Sequence, residues 1–122
     1  MITRMVLVMA LVFVGRGALA DDIGGLWKHS DEPGWIEIDL ARGKGTVVRN
    51  DKFPERVGPE ILKDLKADDS AENFWHGEVY AERLGEYKGA SISLAAPDRM
   101  EFKVKVGFMT RIIEWVRAEA LP

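Results

Sequence analysis

Residues 99–106 limit the folds open to this chain more than any other stretch. Met100, Phe102, Val104 and Val106 alternate with Arg99, Glu101, Lys103 and Lys105. Successive side chains of an extended strand point to opposite faces. As a strand, the segment is therefore apolar on one side and charged on the other; wound as a helix, it has no coherent face. The same period returns where Ile36, Ile38 and Leu40 alternate with Trp35, Glu37 and Asp39. It recurs where Trp75, Gly77 and Val79 stand against Phe74, His76, Glu78 and Tyr80, and in Ser91 to Leu94 within a run from Tyr87. Gly24 to His29 and Phe108 to Arg117 are the outermost runs, and Thr46 to Asn50 is a return strand rich in β-branched residues.

Turn-forming residues separate these runs: Ser30 to Gly34, Ala41 to Gly45, Glu82 to Glu86 through Gly85, Ala95 to Asp98, and Gly107. About seven or eight short strands with turns at this spacing predict an all-β antiparallel fold, an up-and-down barrel or a sandwich. One segment reads differently. Gly58-Pro59 has the form of a helix start, Glu60 stands in the first turn, Lys63 and Lys66 lie toward the end, and Ile61, Leu62 and Leu65 make a stripe. This predicts one short helix laid across an end of the barrel.

The first 20 residues form a separate unit. Arg4 precedes the unbroken apolar run Met5 to Val14, and Ala18-Leu19-Ala20 before Asp21 has the form of a cleavage site. This is the pattern of a secretory signal peptide, and a run this short does not span a bilayer core. Its removal from 122 residues leaves 102, residues 21–122, enough for one small domain. Loss of Arg4 and Arg16 takes the formal charge from −3 to −5. That balance argues against nucleic acid and against anionic membrane. With no cysteine there is neither a disulfide nor a site for a lipid anchor, so a free periplasmic or secreted protein is expected, with no stable membrane anchor after cleavage.

No catalytic constellation is legible. His29 and His76 are the only histidines, there is no cysteine nucleophile and no G-x-S-x-G, and two distant histidines do not make a zinc site. His76 alternates with residues of the expected solvent face. Asp68, Asp69 and Glu72 lack the spacing and glycine of a calcium loop. No catalytic residue, metal or cofactor is assigned. The alternation instead directs Ile36, Ile38, Trp75, Val79, Met100, Phe102, Val104 and Ile113 inward, together with Leu40 and Trp115. The first eight are the candidates to line a cavity for a small hydrophobic ligand; the same residues serve equally to fill a solid core.

Several stretches resemble the bacterial domain-of-unknown-function family 2147, small exported proteins with a lipocalin-like (calycin) barrel and no established activity. They are Asp21-Asp22-Ile23-Gly24-Gly25-Leu26-Trp27, Gly58-x-x-Ile61-Leu62, Trp75-x-Gly77-x-Val79-Tyr80, Gly85-x-x-Tyr87, and Gly107 with Arg111-x-x-x-Trp115-x-Arg117. The loop Asn50 to Pro54 is shorter than the family's, and Ala81-Glu82 stands where an Asp-Pro often follows the tyrosine. The resemblance implies a barrel closed by Gly25, Trp27, Trp115 and Arg117, with the guanidinium of Arg117 (or of Arg111) over the Trp27 indole. The expected function is a binding module for a small apolar or amphipathic ligand. The alternative is a structural or protein-interaction module with a solid core.

Overall fold

Eight antiparallel strands close into a barrel in the computed structural model, which describes residues 22–122. They are β1 (Gly25–His29), β2 (Gly34–Asp39), β3 (Lys44–Asn50), β4 (Glu60–Ala67), β5 (Phe74–Ala81), β6 (Glu86–Ala96), β7 (Arg99–Val106) and β8 (Met109–Arg117). Each strand pairs with its sequence neighbour, and β1 pairs with β8 through Trp27↔Arg117, Lys28↔Val116 and His29↔Trp115. The apolar run Met5 to Val14 and the cleavage motif Ala18, Ala20 and Asp21 lie outside the described residues.

The period of two decides which side chains meet. On β7, Met100, Phe102 and Val104 are buried while Arg99, Lys103 and Lys105 are exposed. They join Ile36, Ile38, Trp75, Val79, Ile92 and Trp115 in one core. Eight strands enclose a space that side chains of this size can fill. The strand directions gather the loops at two ends. Residues 40–43, 68–73 and 97–98, with the start of the described chain, lie at one end; residues 30–33, 51–59, 82–85 and 107–108 lie at the other. Ile23 and Trp27, both fully buried, stop the first end, which is called here the closed end.

The expected helix over 58–66 is instead strand β4. The only helical turn among the described residues is a 3-10 turn at Pro54–Arg56. The reason is a β-bulge. Between the pairs Lys63↔Glu78 and Lys66↔His76, β4 advances three residues while β5 advances two. Asp64 takes φ = 52°, the left-handed conformation that accommodates such an extra residue. Leu62 and Leu65, three apart, therefore both point into the core. Their spacing imitates a helix face, although it arises from a strand with one residue inserted. Gly77 makes room for the pair: a Cβ there would lie 3.1 Å from the Lys63 carbonyl oxygen and 3.3 Å and 3.4 Å from the methyls of Leu62 and Leu65.

Candidate functional site

The closed end is held by Arg117. Its guanidinium carbon lies 4.3 Å from the centroid of the Trp27 ring. Nε donates to the Pro97 carbonyl at 2.8 Å, Nη1 to that of Gly24 at 3.1 Å, and Nη2 to that of Asp22 at 2.7 Å. One planar, always-charged group thus ties together the strand opening at Trp27, the chain before it and the β6–β7 turn. The Trp27 indole N–H donates to the Ile23 carbonyl at 3.0 Å, so the buried ring has its polar atom satisfied. Gly25 adopts φ = 110°, a conformation that side-chain-bearing residues rarely take, and lets the chain turn beneath Arg117. Arg111 stands elsewhere, exposed at the opposite end. This cluster is a latch, with no room for a ligand among its buried members.

The open end holds a cavity of about 680 Å³. Its wall combines Trp35, Ile36, Val47, Ile61, Ile113 and Trp115 with Tyr80 and Tyr87 and, at the rim, His29, Glu32, Asn50, Glu55, Arg56 and Glu82. Of the eight side chains expected to line a cavity, Ile36 and Ile113 do so. Ile38, Trp75, Val79, Met100, Phe102 and Val104 belong to the packed core beneath it. Alternation identifies an inward side chain and is silent about its height along the barrel axis.

Local hydrogen bonds shape the rim. The Asn50 side-chain oxygen accepts from the N–H groups of Lys52 and Phe53, at 3.1 Å and 2.7 Å, and turns the chain into the 51–59 loop. Arg56 stacks on Phe53 at 3.9 Å and pairs with Glu82 at 3.6 Å, linking that loop to the one after β5. The Tyr87 hydroxyl donates to the Glu60 carbonyl at 2.7 Å. His29 Nδ1 accepts from the N–H groups of Asp31 and Glu32, and the ring meets Trp115 edge-on at 5.2 Å. Trp35 is buried between cations, with Lys28 and Arg49 at 5.6 Å and 5.3 Å from its ring.

One residue of the wall carries a polar group that has no partner among the described residues. Trp115 is buried, and its indole N–H finds no acceptor among the described residues. An unpaired buried donor costs roughly 1–3 kcal/mol. No motif reveals this, because it depends on how the ring is wedged between Phe102, at 5.4 Å, and His29.

The remaining candidates are structural. The Asp68 carboxylate accepts from the N–H groups of Ser70 and Ala71 and from the Ser70 hydroxyl, and its other oxygen lies 2.7 Å from His76 Nε2. The His76 contact, then the bonds from Ser70 and Ala71, lower its pKa from 3.8 to about 2. Among the described residues no three histidine, aspartate or glutamate side chains converge as a metal site. Because the folded-state pKa is depressed, Asp68 stabilises the 68–73 loop above pH 3.8, and this support is lost as pH falls through about 2. An NMR titration should find Asp68 ionised at pH 3, and Asp68→Asn should loosen amide protection at Ser70 and Ala71 at neutral pH. An ordinary titration would refute the assignment.

No known family model, curated protein or solved structure matches the chain.

Proposed function

We propose that this protein is an exported barrel that holds a small amphipathic molecule at its open end. The observation that carries the reading is the 680 Å³ cavity lined in part by Trp115, a residue whose buried indole N–H has no acceptor among the described residues. A volume of that order suits a small organic ligand. An apolar body would cover Ile36, Val47, Ile61 and Ile113, and a hydrogen-bond acceptor would satisfy the Trp115 donor. Export rests on Arg4, the apolar run after it and the Ala18-Leu19-Ala20 motif. The dispersed motif residues support placing the chain beside domain-of-unknown-function family 2147. The reading involves no catalytic step, metal or cofactor.

Native mass spectrometry of the protein recovered from an exporting host tests this. The expected result is an adduct of constant mass that disappears on denaturation. Trp115→Phe, which keeps most of the ring and removes the N–H, should lower adduct occupancy by about tenfold, the value of one hydrogen bond. Ile113→Trp should narrow the cavity where Ile113 borders it and lower adduct occupancy with the melting temperature little changed. A bare protein mass at every step would overturn the reading and favour a barrel that acts through its surface.

A further inference from the structure

Among the described residues, five of the six large exposed hydrophobic side chains lie at the open end or on the hairpin that leaves it: Val57, Leu84, Phe108, Met109 and Ile112. Phe108, at the tip of the β7–β8 hairpin, is 101% exposed. The hairpin projects beyond its neighbours. β6 pairs with β7 only as far as Ala90↔Val104, and β1 meets β8 only as far as His29↔Trp115, with one further bond from Ser30 N–H to the Glu114 carbonyl. Residues 105–106 and 109–113 are therefore bonded across the hairpin alone.

Charge distinguishes this projection from the rest of the molecule. Residues 103–113 contain Lys103, Lys105 and Arg111 and no acidic residue, whereas the whole chain carries a formal charge of −3. None of these three cations has an acidic partner within ion-pair distance among the described residues. The register places Lys105 opposite Thr110 and Arg111 opposite Val104, so the cations sit on both faces of the ribbon. Lys105 and Arg111 are each three residues from Phe108. At about 3.3 Å per residue they stand roughly 10 Å behind the tip. Apolar side chains at a tip with cations at that distance match the depth at which an interfacial segment enters the boundary between headgroups and acyl chains.

We propose that the β7–β8 hairpin docks the barrel reversibly on an anionic bilayer, with Phe108 and Met109 entering the acyl boundary and Lys103, Lys105 and Arg111 meeting lipid phosphates. The negative overall charge averages over this local reversal of sign. Asp31 and Glu32 keep the 30–33 loop off such a surface, so the hairpin makes the contact and the rim as a whole does not. A second copy added along the free edge of β8 is disfavoured, because antiparallel pairing would bring two cationic hairpins side by side and leave Phe108 uncovered. This inference stands independently of any cavity ligand, although docking at the open end would turn the cavity mouth toward the lipid.

The chain has no cysteine, so Phe108→Cys can carry a single environment-sensitive nitrobenzoxadiazole label, and Asp69→Cys places the same label at the closed end. With vesicles of equal phosphatidylglycerol and phosphatidylcholine, the label at 108 should shift to the blue and brighten while that at 69 stays unchanged. With phosphatidylcholine alone, both should stay unchanged. Replacing Lys103, Lys105 and Arg111 together by glutamine should lower the partition coefficient roughly a hundredfold. Three results would overturn the proposal. One is no shift with either vesicle. Another is a shift of both labels, or an equal shift with neutral vesicles, which would mean that another part of the chain recruits the membrane. The third is a shift without vesicles that grows with protein concentration, which would mean that a second copy covers the hairpin.

Discussion

Arg117→Ala is expected to lower the melting temperature by roughly 10–20 °C, from a loss of about 2–3 kcal/mol in a domain of this size. The substitution removes three charge-assisted hydrogen bonds at once and leaves the carbonyls of Pro97, Gly24 and Asp22 without that donor. It also strips the guanidinium from the Trp27 ring. Arg117→Lys should recover little, because an ammonium is a single point that cannot serve three divergent carbonyls and lie flat on an indole. Trp27→Phe isolates a different part of the latch: the stacking surface remains and the bond to the Ile23 carbonyl is lost. Thermal unfolding followed by circular dichroism measures all three. An unchanged melting temperature in Arg117→Ala would mean that the barrel closes without the latch. Because the latch and the cavity lie at opposite ends, any adduct seen by mass spectrometry should survive Arg117→Ala below its melting temperature.

Leu65→Lys should prevent folding, whereas deleting Asp64 should not. Without the bulged residue, Leu62, Lys63, Leu65 and Lys66 alternate unbroken, so Leu65 stays inward and Lys66 keeps its place opposite His76. Leu65→Lys instead keeps the bulge and puts an ammonium at a buried position. Losing a buried leucine costs about 2–5 kcal/mol. Burying an unpaired ammonium costs more, against a total stability of about 5–15 kcal/mol for a domain. Asp64→Gly is the informative contrast. Glycine takes φ = 52° without strain, and its extra freedom in the unfolded chain offsets the relief, so stability should change by less than about 1 kcal/mol. Asp64→Val puts a β-branched side chain at a left-handed position and should cost roughly 1–3 kcal/mol. Denaturant titrations of the Asp64 variants and a solubility assay of Leu65→Lys test this together. A deletion variant without native dispersion in its NMR spectrum would show that the bulge does more than insert one residue between two inward leucines.

The strands whose period is unbroken are legible in the sequence nearly to the residue. β5 and β7 begin and end where alternation and turn residues place them, Phe74–Ala81 and Arg99–Val106. Their side chains need no information from elsewhere in the chain to choose a face. β4 could not be read this way, because an inserted residue shifts the phase of the alternation and Leu62 and Leu65 fall at helical spacing. Only the strand pairing on either side, and the space left by Gly77, distinguish the two conformations.

The site divides along the same line. Sequence alone determines that Ile36, Phe102 and Ile113 turn inward, because facing is a local property of the strand. Height along the barrel is a property of closure and register, and only the tertiary structure decides that Ile36 and Ile113 border a cavity while Phe102 is sealed in the core. The same holds for the unpaired Trp115 N–H, which depends on neighbours drawn from β1 and β7, and for Lys103, Lys105 and Arg111. In the sequence those three cations are minor contributions to a negative total. The barrel concentrates them on one projecting hairpin, because the neighbouring strands end or diverge before β7 and β8 do.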